Sequence, residues 1–138
     1  MKKIGIFIDC ENTSIKNIEE NFKQISELGE IVISKAFAHH FEEQYKKWKK
    51  YKSLTKLIEC PKNSTLMKSS TDMTMALHCL NDTKDYNLDI IAILSSDSDF
   101  IPLINILNSL KKEIIIFGVS KSAKMLKDNV SNFIEVIH

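Results

Sequence analysis

Three stretches of this 138-residue chain, KIGIFI (3–8), LDIIAIL (88–94) and EIIIFG (113–118), are apolar at nearly every position. A strand with one wet face alternates apolar and polar residues, so runs without alternation belong to strands covered on both faces. The segments between them are amphipathic. Residues 14–28 set Ile15, Ile18, Phe22, Ile25 and Leu28 on one helical side, with Gly29 as the stop. Residues 31–38 form another strand, and 41–54 a helix with Phe41, Tyr45 and Trp48 on one side and lysines on the other. A short strand over 56–60 ends at Pro61. After a polar loop over 62–71, a helix over 72–82 turns Met73, Ala76, Leu77 and Leu80 inward. A helix over 100–111 carries Pro102 in its first turn, where a missing N–H is tolerated. A short helix near 121–129 and a last strand near 133–137 finish the chain. Such alternation predicts a three-layer α/β/α sandwich around a mainly parallel central sheet.

The length suits one domain over 1–138, able to bury roughly two thirds of the surface that its unfolded chain exposes. A composition of 43% hydrophobic and 27% charged residues lies within the globular range and excludes disordered and collagenous classes. The lysines at positions 2 and 3 resemble the start of a signal peptide, but the apolar run after them stops at Asp9, and no stretch is long enough to span a bilayer. Cys10, Cys60 and Cys79 are an odd set without CxxC spacing, which fits reduced thiols in a cytoplasmic protein better than a disulfide frame or a zinc site. Net charge is only +1, so no polyanion partner is announced by the sum, and all 19 basic residues are lysine, as in chains from AT-rich genomes.

In open α/β sheets, ligands bind beyond the carboxyl ends of the strands, where strand order reverses. Asp9 directly follows the first apolar run, and Asp97 and Asp99 follow the run of residues 88–94 in ILSSDSDFIPL. All three belong on one sheet edge, and their carboxylates converge if the two strands are neighbours. Asp72 is a fourth, because a helix opening after the third strand starts at the same edge. Each acid alone has a plainer reading: Asp72 and Asp99 as helix-end acids, Asp9 as a turn residue. Gathered together, four like charges raise one another's pKa and destabilise the fold unless a cation neutralises them. Hard oxygen donors without nearby Cys or His favour Mg²⁺ or Mn²⁺ over zinc. An ion so held orients a phosphate oxygen, stabilises transition-state charge and lowers the pKa of water, which makes phosphodiester hydrolysis the natural reaction. No Ser-His pair or Gly-rich phosphate loop competes, since the three glycines are isolated.

The blocks FIDCENTS (7–14), KSSTDM (68–73) and SSDSDF (95–100), in this order, resemble the signature blocks of the NYN domain, in the LabA-like (DUF88) branch of the PIN-like ribonuclease superfamily. The similarity covers essentially the whole chain. It implies a PIN-like fold and a Mg²⁺/Mn²⁺-dependent ribonuclease, a hydrolase of the bacterial cytoplasm, in which Asp9, Asp72, Asp97 and Asp99 are the catalytic and metal-holding residues. It further implies that Asn12 hydrogen-bonds an acid or a substrate phosphate, that Ser95 helps orient the site and that Lys68 contacts phosphate. Phe100 is expected to pack beneath the loop. One departure is His78, which stands where relatives often carry another acid about two helical turns after the position of Asp72, and this bears on a second ion. RNA is the implied partner. With no RNA-binding domain appended, specificity is expected from the domain's own surface, from a homodimer or from another protein.

Some features pull elsewhere. YKKWKKYK (45–52) mixes aromatics and lysines as single-strand binders do, but rings at helical spacing are expected in the core and the lysines on a solvated face. Cys10 is expected to pack as a small apolar residue, and His39 and His40 are left unassigned. The rival to a nuclease is an NYN-like module that binds RNA or protein without cutting. A phosphatase of the haloacid-dehalogenase type is disfavoured, because residues 9–13 read D-C-E-N-T where D-x-D-x-T is required.

Overall fold

The computed structural model describes residues 1–61, 67–95, 97–118 and 127–135, with the side chains of 67–70 and 132–135 left out of the description. Six strands, β1 (Lys3–Asp9), β2 (Glu30–Ala38), β3 (Lys56–Glu59), β4 (Ile90–Leu94), β5 (Glu113–Gly118) and β6 (Asn132–Glu135), alternate with four helices. The helices are α1 (Ile18–Ser26), α2 (Phe41–Trp48), α3 (Met67–Asp85) and α4 (Ile101–Ser109). The strands lie in the order β3-β2-β1-β4-β5-β6, and every neighbouring pair is parallel.

The apolar runs behave as strands covered on both sides. Ile4, Ile6 and Ile8 of β1, Ile90, Ala92 and Leu94 of β4, and Ile115 and Phe117 of β5 pack with Ile18, Phe22 and Ile25 of α1 and with Trp48. The alternate residues Phe7, Ile91, Ile93, Ile114 and Ile116 face the other way, against Met75 and Cys79 of α3 and Leu103, Ile104 and Leu107 of α4. This is the three-layer sandwich that the sequence predicts, and its described sheet is parallel throughout. Burying one large apolar side chain contributes about 1.5–3 kcal/mol relative to leaving it exposed. The fully buried Ile4, Ile6, Phe7 and Ile8 therefore fix β1 firmly up to the residue before Asp9.

From β1 the chain steps outward to β2 and β3, then returns through α3 to place β4 on the other side of β1. The junction of β1 and β4 is thus where strand order reverses, and the crevice beyond their carboxyl ends is the favoured place for a ligand.

Helix α1 is shorter than the expected 14–28, and Leu28, past its end, is 43% exposed; α3 and α2 depart further. Helix α3 begins at Met67, not at residue 72, so Asp72 lies in its second turn; residues 62–66 of the expected loop lie outside the described residues. Its inward line is Thr71, Met75 and Cys79, while Met73 and Leu77 are 60% and 58% exposed. Apolar residues surround this helix on every side, so periodicity alone does not choose its buried face. In α2 only Gln44 and Trp48 are buried, and Tyr45 is 49% exposed, because this eight-residue helix packs beside the short edge strand β3. Most of the expected helix near 121–129 falls in 119–126, outside the described residues; β6 starts at Asn132.

Candidate metal centre

Asp9 is the last residue of β1, and its partner at the switch point is the end of β4. A short 3₁₀ turn, Cys10–Asn12, carries the chain away, and the Thr13 hydroxyl donates to the Leu94 carbonyl at 2.6 Å, which ties the two strand ends together. Asn12 Nδ2 donates to Asp9 Oδ2 at 2.7 Å, and Ser95 Oγ donates to the same oxygen at 3.3 Å. Ser95 Oγ also accepts from the backbone N–H of Asp97 at 3.2 Å. Asp97 in turn caps the next 3₁₀ turn, its Oδ1 accepting from the Asp99 N–H at 2.9 Å. Asp97, not Asp99, is therefore the cap residue of this segment. Phe100 is buried beneath it, as expected.

These bonds hold Asp9 and Asp97 at the strand ends, where Asp72 meets them. One oxygen each from Asp9, Asp72 and Asp97 lies within 4.8 Å of the others, with Asp72 delivered from α3. Asp99 stands outside this triad and meets Asp72 at the mouth, where both line a groove of about 570 Å³ between α3 and α4. The groove wall is acidic at one end and apolar at Met73, Ala76, Pro102 and Leu103. Lys68 falls in the first turn of α3 by its backbone, and its side chain is outside the description.

The electrostatics are those of a site short of positive charge. Burial raises the pKa of Asp9, which is 1% exposed; Glu11 and Asp97 add to the rise, while Asn12 and Ser95 oppose it. Asp72 is pushed up to about 7, first by burial, then by the Asp97, Asp9 and Asp99 carboxyls. Asp9 Oδ1 is buried with no hydrogen-bond partner. An unsatisfied buried carboxylate oxygen costs on the order of 1–3 kcal/mol or more. Two other acids adjoin Asp9, and no described lysine pairs with any of the three. Oxygen-only donors, convergent geometry and an orphaned oxygen suit a hard divalent cation.

Glu11, His39 and Thr71 adjoin the centre, and the sequence assigned none of them to it. Glu11 Oε1 accepts from the His39 backbone N–H at 2.8 Å and lies 2.8 Å from His39 Nδ1, which is 3.1 Å from Thr71 Oγ1. The set joins the turn after β1, the end of β2 and α3 on one side of the acids. The signal for Glu11 was its place between Asp9 and Asn12; that for His39 was its place just after the second strand, and the parallel pairing of Asp9 with Phe37 brings it beside the centre.

His78 is not a displaced ligand. It sits edge-on to Phe37, and its Nδ1 lies 3.1 Å from Lys35 Nζ, which pairs with Asp82 at 2.7 Å. Burial, then Lys35, lowers its pKa. Residues six apart on a helix point in different directions, so position 78 does not share the face of Asp72. The pair is structural: Lys35→Met would strand Asp82, whose side chain is 5% exposed, and should cost about 3–5 kcal/mol. Urea unfolding would show this as a lower midpoint, while the folded fraction keeps its metal response.

Comparison with known proteins bears on the fold and the family. A comparison with curated proteins finds no match. A crystal structure of a Vibrio parahaemolyticus protein of unknown function superposes with TM-score 0.80 at 20% identity, covering 99% of this chain and 93% of that one. Acinetobacter baumannii MurG superposes with TM-score 0.62 at 10% identity, covering 100% of this chain and 42% of that one. At such identities both likenesses concern the fold alone. The NYN domain family model, in contrast, matches residues 3–137. This chain belongs to the NYN domain family, within the PIN-like nuclease superfamily.

Proposed function

We propose that this chain is a Mg²⁺- or Mn²⁺-dependent ribonuclease of the LabA-like branch, hydrolysing RNA phosphodiester bonds at the β1/β4 switch point. The supporting observation is the meeting of Asp9, Asp72 and Asp97 oxygens, beside which Asp9 also keeps a buried, unpartnered Oδ1. These three would hold the ion, which when bound supplies Lewis acidity to a phosphate oxygen and acidifies water. Asn12 and Ser95 hold the Asp9 carboxylate in place, and the Ser95 hydroxyl passes that order on to the Asp97 backbone. Asp99, at the mouth against Asp72, is placed to orient an attacking water or a further cation. Lys68 would contact phosphate. The apolar end of the groove offers room for a nucleotide beside the scissile bond. We place the protein in the cytoplasm, where its three free, buried cysteines need no oxidising environment; among the described residues no helix is long and apolar enough to cross a membrane.

The rival, a module that binds RNA without cutting, differs from this reading in its response to metal. Incubating purified protein with labelled RNA decides between them. Cleavage should require Mn²⁺ or Mg²⁺, stop in EDTA and resume on adding Mn²⁺. RNA binding without any metal-dependent turnover would establish the binding module instead.

A further inference from the structure

Helix α2 presents a second feature that cleavage does not use. Gln44 and Trp48 point inward, and Trp48 Nε1 donates to Gln44 Oε1 at 3.1 Å. Phe41 and Tyr45, one turn apart on the helix, lie on the same side as Lys49 and Lys52 of the tighter turn that follows it. With Trp48, and with Lys56 from the edge strand β3, these residues line a pocket of about 260 Å³. That is below the roughly 300–1,000 Å³ that encloses a drug-sized ligand, and suits a single planar ring. The Phe41 and Tyr45 rings stack at 5.9 Å with 29° between their planes, and the half-exposed Tyr45 offers surface to an incoming ring.

The rim supplies the charge. Residues 44–58 hold six lysines and no acid, and none of the six forms an ion pair among the described residues. A lysine face alone is ordinary, but a ring-sized aromatic slot edged by Lys49, Lys52 and Lys56 combines the two elements of sequence-tolerant single-strand binding. An acidic peptide would satisfy the lysines and leave the slot without a flat partner. The slot is also within reach of the acids. Helix α2 opens just beyond β2, where His39 meets Glu11, and its eight residues span about 12 Å.

We infer that this pocket is an accessory site for single-stranded RNA, in which one unpaired base stacks on Tyr45 while neighbouring phosphates meet Lys49, Lys52 and Lys56. The identity of the polymer rests on the ribonuclease reading, and the site narrows that reading to RNA with an unpaired segment.

Trp48 is the sole tryptophan and lines the slot, so its fluorescence reports occupancy. A single-stranded RNA of roughly 12 nucleotides, within the range that single-strand modules cover, is titrated in EDTA into wild type, Tyr45→Ala and Lys49→Ala/Lys52→Ala. Wild type should show saturable quenching, and Tyr45→Ala should bind about tenfold more weakly. The double lysine variant should lower the slope of log affinity against log salt by about 1.4, or 0.7 for each lost phosphate contact. A duplex of equal length should not quench. Circular dichroism confirms that the variants are folded, as an exposed Tyr45 leads one to expect. Unchanged affinity and salt slope in both variants, no quenching of wild type by single strands, or equal quenching by the duplex would each overturn the site. Failure of the ribonuclease reading looks different: no protein then cleaves RNA with Mn²⁺, whatever the slot binds in EDTA.

Discussion

Asp97→Asn and Asp9→Asn should each lower Mn²⁺-dependent RNA cleavage by about 10³-fold or more and leave the fold intact. The size follows from what a metal contributes: several kcal/mol of charge stabilisation, at tenfold in rate for each 1.4 kcal/mol. An asparagine is nearly isosteric but brings no charge to the cation. It keeps the local bonds, because one amide oxygen at position 9 can still accept from Asn12 and Ser95, and one at position 97 can still accept from the Asp99 N–H. Without metal, both variants should unfold at the wild-type temperature or a few degrees above it, since each replacement removes a like charge from a crowded pocket. Rates measured in Mn²⁺, with thermal unfolding in EDTA, separate loss of chemistry from loss of fold. Wild-type cleavage by either variant would contradict the assignment.

In EDTA, stability should fall as pH rises between about 4 and about 7, which is the reverse of the usual carboxylate behaviour. The folded-state pKa of Asp72 is pushed up to about 7, first by burial and then by Asp97, Asp9 and Asp99. An unfolded aspartate titrates near roughly 3.9. Between those values the native state holds a proton that the unfolded state has lost, so raising pH favours unfolding, by at most about 1.4 kcal/mol per pH unit for one proton. Partial exposure of Asp72 makes its own contribution smaller, while the raised pKa of Asp9 acts in the same direction as that of Asp72. Asp72→Asn should flatten much of this fall, which separates it from the titration of other groups. Mn²⁺ competes with the proton for the same oxygens, so it should stabilise the protein more at about pH 8 than at about pH 5. At a hundredfold excess over its dissociation constant the gain is about 2.7 kcal/mol. A wild-type stability in EDTA that rises across this window, or a Mn²⁺ effect indifferent to pH, would contradict the shared pocket.

The layered fold was legible because its strands are apolar on both faces, a pattern that admits few architectures. Asp9 and Asp97 were legible for the same reason: each follows such a strand, and the switch-point rule turns chain position into location. Asp72 was found through its place near a helix start, although α3 begins five residues before it. Which face of α3 is buried was not readable, since Met73 and Leu77 are as apolar as the inward Met75 and Cys79. Tyr45 was misplaced because helical spacing shows that rings share a side without showing what covers it; β3 is too short to cover them all. The roles of Glu11, His39 and His78 depend on pairings between distant segments, Glu11 with the end of β2 and His78 with Lys35, and no local pattern encodes these.

Anomalous scattering from crystals soaked in Mn²⁺ addresses the carboxylate centre directly. A single strong peak bonded to oxygens of Asp9, Asp72 and Asp97, with the orphaned Asp9 Oδ1 among them, is the predicted result. A peak bonded elsewhere, or soaked crystals in which the three acids coordinate nothing and Asp9 Oδ1 stays unpartnered, would contradict it.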